Sequence, residues 1–423
     1  MATTTSTPAD VCRAAKVAAR PLAALPAGVK DAALVAIADA LIMRRDEILE
    51  ANARDVEAGR EADIGTALLD RLTLTPERIA AMAEGVRQVA ALPDPVGEVL
   101  DGGRLDNGLQ VERVRVPLGV VAVVYEARPN VTIDAAALAL KSGNAIVLRG
   151  SSTAQHSNAI LASVAAQAAE SAGVPAGAIA LVSGGGREEL AELATQEGVV
   201  DLIIPRGGEG LKAALKGVAT VPVIFAASGV CHVYVDASAD LERARAIILN
   251  AKTQRPGVCN AAETLLVHSS VAAAFLPEAL RALAGAGVEL RVDARARAAA
   301  GEGAPPLVDA VPEDWDTEYL DLILSVGVVD SVEEAVDHVV AHGSGHSDAI
   351  LTDDLAASRA FVAGVDSAAV YVNASTRFTD GAEFGMGAEI GISTQKLHAR
   401  GPIGLRELCT YKYVVQGAGH VRP

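Results

Sequence analysis

A cysteine at position 259 stands where a reactive thiol would be expected. The stretch AKTQRPGVCNAAETLLVH, residues 251–268, places Cys259 in a Pro-Gly turn just before the apolar run that starts at Thr264. Lys252 and Arg255 precede the turn, and nearby cations lower a thiol pKa toward the reactive thiolate. A cysteine that serves only packing would be expected within the apolar run, as a small buried hydrophobe. This stretch alone leaves a nucleophile and a packing residue equally open.

A second polar stretch, YEARPNVT at residues 125–132, lies at the end of a predicted strand. Asn130 offers a side-chain amide donor, and an acyl transfer to sulfur needs such a donor to stabilise the tetrahedral oxyanion. Asparagine after proline is also an ordinary turn residue. Arg128 suits a carboxylate or a phosphate group, because a guanidinium binds both through paired hydrogen bonds.

The longest irregular stretch, residues 371–402, follows a predicted strand that ends at Asn373. Its sequence, YVNASTRFTDGAEFGMGAEIGISTQKLHARGP, is rich in glycine and has hardly any apolar periodicity. So long an irregular segment inside a compact domain is usually functional. Arg377 within it suits an anionic substrate.

Three strand-to-helix turns have the composition of a nucleotide site. SGGGREEL (183–190) and PRGGEGL (205–211) are glycine-rich, so backbone N–H groups and a helix N-terminus can meet a phosphate there. Neither is the full G-x-G-x-x-G fingerprint, and glycines that serve only a tight turn explain both nearly as well. VLRGSST (147–153) ends a strand with a cation and hydroxyls suited to an adenosine ribose or its 2′-phosphate. The candidate cofactor residues in these turns are Arg149, Ser151, Ser152, Gly184, Gly185, Arg206 and Gly207.

The composition limits the classes of protein that fit. A chain of 423 residues, 51% of them hydrophobic, is globular and long enough for two or three domains. A formal charge of −17 disfavours a nucleic-acid surface or attraction to anionic membranes, although a local group of arginines can still bind an anion. The four cysteines include no C-x-x-C pair, so neither a disulfide framework nor a metal site is predicted. The N-terminus lacks a signal-peptide core, and a reducing cytoplasm is the simplest location.

The elements that must position these residues begin with a helical region. Residues 8–91 have apolar residues at helical spacing, with one predicted helix over about 30–61 and another that starts near Pro76. Residues 101–119 predict a hairpin with its turn at Asp106-Asn107-Gly108. Its strand alternates, as does TYKYVVQG at 410–417, and each leaves a polar face typical of an exposed ribbon.

From residue 120 onward, short apolar runs alternate with helical segments. This pattern predicts two doubly wound α/β blocks with parallel sheets, which bind ligands at the carboxyl ends of their strands. The predicted strands are 120–125, 144–150, 178–183, 200–205 and 221–225 in the first block, and 231–235, 263–267, 288–292, 320–326, 348–352 and 368–372 in the second. The predicted helices are 132–142, 153–172, 186–196, 207–216, 239–252, 270–286 and 331–342.

Several of these stretches together resemble one family. YEARPNVT, LKSGNAIVLRG, DLIIPRGGEGL, NAKTQRPGVCNAAETLLVH, GSGHSDAILT and the stretch from Asn373 to Pro402 are similar, in this order, to motifs of the gamma-glutamyl phosphate reductases. This is a branch of the aldehyde dehydrogenase superfamily. The runs through Cys259 and after Asn373 are the specific ones, whereas the glycine turns are not. SGGGREEL departs from the more polar turn of this family, which leaves the contacts to cofactor phosphate open.

The resemblance implies a reaction and the residues that carry it out. The reaction is NADPH-dependent reduction of L-glutamyl 5-phosphate to L-glutamate 5-semialdehyde, in proline biosynthesis, through a thioester on Cys259. Asn130 matches the oxyanion asparagine, acting with the backbone N–H of Cys259. Glu318, in TEYLDLIL, matches the acidic residue that contacts the nicotinamide ribose. The candidates for the anionic groups of the substrate are Arg128, Arg255 and Arg377.

One absence agrees with a reductase. Oxidising aldehyde dehydrogenases carry a glutamate, about thirty residues before the cysteine, that activates water to hydrolyse the thioester. Here that region reads FAASGVCHVYVD (225–236) and has no glutamate. His232 is a conceivable substitute base, although a strand histidine with a satisfied hydrogen bond is the commoner case. The alternatives are a hydrolytic aldehyde dehydrogenase and, from a different class, an inactive relative that serves as a binding or structural protein.

The resemblance also implies an aldehyde dehydrogenase-like fold. We predict an NADP-binding domain at 1–100 and 117–228, a catalytic domain at 229–395, and an oligomerisation ribbon at 101–116 and 403–423. Alternating strands with exposed edges need a partner strand, so a homodimer or a homotetramer is predicted. Whether a glutamate kinase hands over the labile acyl phosphate directly is left open.

Overall fold

The structure, a computed structural model, describes residues 7–184, 186–225 and 228–422. The chain divides into two compact units. Unit 1 comprises Met1–Phe225, Gly385–Gly391 and Ile403–Pro423, and unit 2 comprises Ala226–Phe384 and Ile392–Pro402. Among the described helices, none is both long enough and apolar enough to cross a bilayer.

The elements alternate as an α/β chain should after an all-helical start. Unit 1 contains α1 (Pro8–Leu22), α2 (Ala27–Met43), α3 (Arg45–Glu61), α4 (Thr66–Leu72), α5 (Pro76–Ala91), β1 (Val99–Arg104), β2 (Gln110–Pro117), β3 (Val120–Tyr125), α6 (Asn130–Lys141), β4 (Ala145–Arg149), α7 (Gln155–Ser171), β5 (Ile179–Leu181), α8 (Arg187–Ala194), β6 (Leu202–Arg206) and α9 (Glu209–Val218). Unit 2 contains β7 (Cys231–Val235), α10 (Leu241–Thr253), β8 (Ala262–His268), α11 (Ser269–Gly285), β9 (Glu289–Val292), α12 (Ala294–Ala299), β10 (Val308–Asp309), β11 (Ile323–Val329), α13 (Val332–His342), β12 (Ser347–Leu351), α14 (Leu355–Gly364), β13 (Ala369–Val372), β14 (Ile392–Ser393) and β15 (Gly401–Pro402). The last strand, β16 (Cys409–Gln416), belongs to unit 1.

The helical start forms because its sequence supplies both caps and apolar faces. Thr7 and Asp10 form a reciprocal capping box at α1, and Thr75 caps α5 with Pro76 in the first turn. The predicted long helix over 30–61 is two helices, because α2 ends at Met43 and α3 begins at Arg45. The helical prediction for this region is therefore confirmed in kind and corrected in length.

The sheet of unit 1 has four parallel strands in the order β5-β4-β3-β6. All six residues of β3 are buried, as expected for a central strand covered on both faces. Val124 pairs with Arg149 and Tyr125 pairs with Arg206. The carboxyl ends of β3, β4 and β6 therefore lie side by side, and this edge carries the predicted cofactor turn and the stretch that leads to Asn130.

The predicted fifth strand of this sheet, residues 221–225, is wrong. Only an isolated parallel bridge between Ile203 and Val223 forms. Ile203 donates its N–H to the carbonyl of Pro222, and Ile224 donates to the carbonyl of Ile203. Pro222 has no N–H to continue a ladder, so pairing stops after these two hydrogen bonds.

Unit 2 contains a seven-stranded parallel sheet in the order β10-β9-β11-β8-β7-β12-β13. Alternate residues of β8 point to opposite faces: Leu265 and Val267 pack with α10, α11 and α12, whereas Leu266 packs with α13 and α14. The sheet is thus covered by helices on both faces, which confirms the doubly wound prediction. The turn that carries Cys259 precedes β8 and so lies at the amino end of that strand.

The ribbon is a separate antiparallel sheet in the order β1-β2-β16. The predicted hairpin forms between β1 and β2, and β16 pairs with β2 over its whole length. The two alternating sequences therefore belong to one sheet. Tyr411, Tyr413 and Val415 of β16 are exposed.

A buried asparagine joins three segments of unit 1. Asn144 accepts from the Gly119 N–H at 2.8 Å and donates to the Ser142 hydroxyl at 2.9 Å and the Leu408 carbonyl at 2.8 Å. We expect Asn144→Ala to cost about 2–3 kcal/mol and to lower the unfolding temperature by roughly 2–4 °C, because Gly119 and Leu408 lose their partners. Thermal unfolding followed by circular dichroism measures this. Exposed Asn250 on α10 is the control, and equal stability of Asn144→Ala and Asn250→Ala would contradict the prediction.

Candidate active site

Cys259 lies in a tight turn between α10 and β8 and is half-buried, whereas the other three cysteines are buried. This distribution separates it from residues that serve only packing. The turn contains Arg255, which is exposed. The structure thus places Cys259 where a solute can reach it, four residues after the exposed guanidinium of Arg255.

The backbone of the Cys259 turn rests against another segment with almost no space between them. A Cβ atom on Gly229 would lie 1.5 Å from the carbonyl oxygen of Cys259 and 2.7 Å from its Cα. The thiol of Cys231 lies 3.2 Å from the same carbonyl oxygen and donates to it. Only a residue without a side chain fits at 229, so this contact fixes the backbone of the Cys259 turn.

Arg377 is held beside the turn by its own hydrogen bonds. Its guanidinium donates to Gln254 at 2.9 Å and to the side-chain oxygen of Asn260, the residue after Cys259. Burial lowers the pKa of Arg377, and the positive charge of Arg255 acts in the same direction. Two cations thus lie near one thiol, which is the arrangement predicted for an anionic substrate.

Glu318 reaches the same region from the segment before β11. Its carboxylate accepts from the Gly229 N–H at 2.7 Å, and Gly229 itself lies against Cys259. The structure therefore brings together Cys259, Arg255, Arg377 and Glu318, all within unit 2. These four residues were predicted from three separate stretches of sequence, because Arg255 and Cys259 lie in the same one.

Behind the turn lies a buried ion pair that the sequence analysis did not identify as such. Lys252 and Glu263 are 2.6 Å apart, with side chains 0% and 1% exposed. Burial raises the pKa of Glu263 to about 7, partly offset by Lys252, and burial lowers the pKa of Lys252. The available signal was the carboxylate itself, because Glu263 interrupts an otherwise apolar strand sequence.

Asn130 is the first residue of α6, in unit 1, and not part of a free turn. Its Nδ2 donates to Asp134, one helical turn later, at 2.9 Å. Burial raises the pKa of Asp134 to about 6, against the lowering effects of Asn130 and Arg206. This bond uses one amide proton and fixes the amide orientation, so Asp134 is a site residue that the sequence analysis missed. Arg128 is exposed in the segment before α6.

Arg149, the last residue of β4, has a guanidinium N–H group that no described residue accepts. Arg149 is 7% exposed, and its Nη2 donates to the carbonyl of Gly186 at 2.7 Å. Its Nε is buried without a hydrogen-bond partner among the described residues. Ser151 caps the short 3₁₀ turn before α7, and Ser152 is exposed.

Both glycine turns contain a carboxylate of the chain itself. At Gly184 and Gly186 an added Cβ would meet the Glu189 carboxylate within 2.9 Å, and Gly185 lies outside the described residues. At Gly207 an added Cβ would meet Glu126, which also accepts from the Gly208 N–H at 3.0 Å. An internal acid thus occupies a place where a phosphate had been predicted.

Arg206 ends β6 and turns away from its glycine turn. Its guanidinium lies against Gly391, where an added Cβ would be 2.9 Å from Nη1, and its charge lowers the pKa of Asp134. Arg206 therefore lies near the start of α6, with Asp134. Its predicted role in binding cofactor remains a prediction.

The surroundings of His232 on β7 fit a strand histidine that serves the structure better than they fit a catalytic base. His232 is fully buried in the central part of the sheet. Its backbone nitrogen lies 2.8 Å from the Asp348 carboxylate, and its Nδ1 lies 3.1 Å from the same carboxylate. Among the residues that the structure describes, no group of three or more His, Cys, Asp and Glu side chains is arranged to hold a metal ion.

Comparisons with known proteins agree with the resemblance. The model of the aldehyde dehydrogenase family matches residues 2–300. A gamma-glutamyl phosphate reductase of Thermobifida fusca is 57% identical over 97% of this chain and 98% of its own length. That of Kineococcus radiotolerans is also 57% identical, over 97% of this chain and 95% of its own.

Solved structures give the same result. The crystal structure of gamma-glutamyl phosphate reductase from Thermotoga maritima has a TM-score of 0.95 and 47% identity, covering 98% of this chain and 99% of that one. An acetylating aldehyde dehydrogenase from Geobacillus thermoglucosidasius has a TM-score of 0.68 at 20% identity, covering 98% of this chain and 97% of that one. The second match supports the fold alone, and both confirm the predicted fold class.

The close contact at Gly229 makes a first prediction for this site. Gly229→Ala has to displace the Cys259 turn, which moves the thiol relative to the two arginines. We expect iodoacetamide to alkylate Cys259 roughly tenfold more slowly near neutral pH, because cations near a thiol favour the reactive thiolate. Peptide mass spectrometry measures the rate at this cysteine. Gly257→Ala is the matched control, because its Cβ has ordinary contact space, 3.6 Å from the nearest atom. Equal rates in the two variants would rule out the displacement.

The raised pKa of Asp134 predicts a pH-dependent stability difference. In the unfolded chain this carboxyl ionises near its ordinary pKa of 3.8, but in the folded protein only near about 6. The native state therefore loses stability as pH rises through that window. Asp134→Asn keeps an oxygen acceptor for Asn130 and cannot ionise. We expect its unfolding temperature to match the parent near pH 4 and to exceed it by a few degrees above about pH 7. A difference that does not vary with pH would contradict this account.

Proposed function

Since the chain belongs to the aldehyde dehydrogenase family and to its gamma-glutamyl phosphate reductase branch, we propose that it reduces L-glutamyl 5-phosphate to L-glutamate 5-semialdehyde and phosphate, with NADPH, in proline biosynthesis. The observation that carries the proposal is the half-buried Cys259 with Arg255 and Arg377 beside it. A nucleophilic thiol next to cations suits an activated acyl group with negative charges. The chain spans nearly the whole length of its named relatives, so the proposal applies to the complete reaction.

In the first step the Cys259 thiolate attacks the acyl carbon of the substrate. A carbon–sulfur bond forms, the carbon–oxygen bond to phosphate breaks, and phosphate leaves with the electron pair. Arg255 and Arg377 offset the negative charge of the bound substrate, and Arg128 is proposed as a third cation for its anionic groups. Asn130 is proposed to donate its remaining amide proton to the oxyanion, with its orientation held by Asp134.

In the second step the thioester on Cys259 is reduced. NADPH, when bound, supplies the hydride that adds to the thioester carbon. The resulting alkoxide, which is the deprotonated thiohemiacetal on Cys259, collapses, the carbon–sulfur bond breaks, and the aldehyde leaves as the thiolate is restored. No proton is needed for this collapse, so the site does not require a general acid beside the sulfur.

The residues proposed for the cofactor fit a group with phosphates and hydroxyls. Arg149 has a buried Nε without a partner among the described residues, at the carboxyl edge of the unit 1 sheet. With Ser151 and Ser152 it would hold the adenosine ribose or its 2′-phosphate, and Glu318 would hold the nicotinamide ribose. Gly184, Gly185, Arg206 and Gly207 are proposed only as backbone or charge contacts, because internal carboxylates lie in both glycine turns.

The absence of a hydrolytic base supports reduction over oxidation to an acid. The stretch FAASGVCHVYVD has no glutamate, and His232 is buried against Asp348. A thioester that water does not attack survives until it is reduced. This favours the reductase over a hydrolytic aldehyde dehydrogenase.

The proposal extends to the setting of the enzyme. The cytoplasm is proposed as its location, and glutamyl 5-phosphate as its substrate, with a glutamate kinase as the source. We propose a homodimer or homotetramer assembled through the ribbon, because β16 pairs with β2 on one side and no described strand pairs with its other edge. The exposed Tyr411, Tyr413 and Val415 on this strand support that role.

The reverse reaction tests the function with a stable substrate. We expect the protein to reduce NADP in the presence of glutamate 5-semialdehyde only when phosphate is added, since phosphate must release the acyl group from Cys259. Absorbance of the reduced nicotinamide gives the rate. Cys259→Ala should lower it at least roughly a thousandfold, because the covalent route is lost. Cys12→Ala, a buried thiol on α1, is the matched control and should retain the rate.

The other outcomes separate the alternatives. Turnover that does not depend on phosphate would identify a hydrolytic aldehyde dehydrogenase and refute the argument from the missing base. A folded protein without turnover under either condition would identify an inactive relative.

A further inference from the structure

The buried pair of Lys252 and Glu263 flanks the nucleophile in sequence and in space. Lys252 is on α10, seven residues before Cys259, and Glu263 is on β8, four residues after it. The pair thus joins α10 to β8, and the Cys259 turn connects these two elements. The mechanism above uses neither residue.

The second oxygen of Glu263 reaches the segment that carries Glu318. Glu263 Oε2 binds Lys252, and Oε1 accepts from the Leu320 N–H at 3.3 Å. Leu320 has φ +54°, a left-handed conformation that a leucine rarely adopts without support. Tyr319 is the residue between Glu318 and Leu320 in the sequence, and the centre of its ring lies 5.9 Å from the Lys252 ammonium.

The segment that carries Glu318 also contacts the Cys259 turn and the glycine packed against it. Glu318 accepts from the Gly229 N–H, and Gly229 lies directly against the backbone of Cys259. The carbonyl of Leu320 lies close to Gly257 in the same turn, 3.6 Å from where its Cβ would be. The segment 318–320 therefore contacts Gly229 through Glu318, and it contacts both Glu263 and Gly257 of the Cys259 turn through Leu320.

Stability alone does not explain a buried ion pair at this place. Removing two charges from water costs several kcal/mol per ion, and apolar residues of similar volume are often as stable or more stable. A charged acceptor does supply what an apolar residue cannot, namely a fixed hydrogen bond to a strained backbone N–H. Such a hydrogen bond fixes the position of segment 318–320 and need not increase the free energy of unfolding.

We propose that Glu263, held by Lys252, is a positioning residue that fixes the segment carrying Glu318 against the Cys259 turn through its hydrogen bond to Leu320. The consequence for catalysis rests on the proposed function, in which Glu318 contacts the nicotinamide ribose. Glu263 thereby sets the distance between the cofactor's reactive end and the nucleophile without touching either. Its loss affects cofactor binding and turnover more than binding of the aldehyde.

Two double variants of the full chain separate positioning from packing. Lys252→Met/Glu263→Met removes both charges and the acceptor, whereas Lys252→Met/Glu263→Gln removes the charges and keeps an acceptor oxygen for Leu320. We expect the Met/Met variant to unfold within a few degrees of the parent, to bind NADPH roughly tenfold more weakly by nicotinamide fluorescence, and to have roughly tenfold lower kcat with KM for the aldehyde unchanged. The Met/Gln variant should recover most of the affinity and of kcat.

Amide hydrogen exchange tests the positioning independently of the proposed function. The peptide that covers residues 317–322 should exchange faster in the Met/Met variant and as in the parent in the Met/Gln variant. The control is Lys30→Met/Asp94→Asn, a buried pair of the same 2.6 Å separation in unit 1, which should change neither this peptide nor kcat.

The possible outcomes decide the two proposals separately. Unchanged exchange at 317–322 in the Met/Met variant overturns the positioning role, whatever the activity. Faster exchange with unchanged NADPH binding and kcat also overturns it, because the segment would then not matter for the cofactor. A parent protein that neither binds NADPH nor turns over, but whose exchange pattern responds as expected, refutes the proposed function and retains the contact.

Discussion

The contact between Gly229 and the backbone of Cys259 is the constraint on which the rest of the site depends. Two backbones can approach so closely only where one residue lacks a side chain. The same Gly229 donates its N–H to Glu318, so one residue locates both the predicted nucleophile, Cys259, and the acid predicted to hold the cofactor. The Cys231 thiol fixes the carbonyl of Cys259 from a third direction. The turn that carries Cys259 is therefore held through contacts to its backbone.

Charge in this protein is organised locally and not by the overall balance. The chain carries a formal charge of −17, yet Arg255 and Arg377 lie together beside the only cysteine that is not buried among the described residues. Arg377 is half-buried, and its hydrogen bonds to Gln254 and Asn260 hold the guanidinium against the repulsion of Arg255. An anionic substrate would relieve that repulsion, because its charge compensates both cations at once. A strongly acidic protein can thus present a cationic site to its substrate.

Carboxylates of the chain itself lie at several places where the glycine-rich sequences alone would predict a bound phosphate or leave the contacts undecided. Glu189 and Glu126 each lie within a glycine turn that the sequence would assign to a phosphate. Buried Glu263 and half-buried Asp134 hold donors next to the residues proposed for catalysis, and burial raises the pKa of both. Glu126, Glu263 and Asp134 each accept a hydrogen bond from a backbone or amide N–H and hold it in place. The acidic side chains therefore serve largely to hold the geometry of the loops.

The sequence alone determined the fold class and the parallel strands, because apolar periodicity and turn chemistry are local properties of the chain, and the run around Cys259 predicted the reactive residue. It also indicated Arg377 and Glu318 as site residues, although not their partners. Tertiary structure decided what those residues contact: the pairing of Lys252 with Glu263, the approach of Gly229 to Cys259, and the carboxylates in the glycine turns. It also decided that Pro222 ends the pairing of the expected fifth strand. The contacts of Gly229 with Cys259 and of Glu126 with Gly208 join distant segments, and Lys252 and Glu263 lie on different elements, so these contacts follow from how the elements pack, which no local pattern encodes.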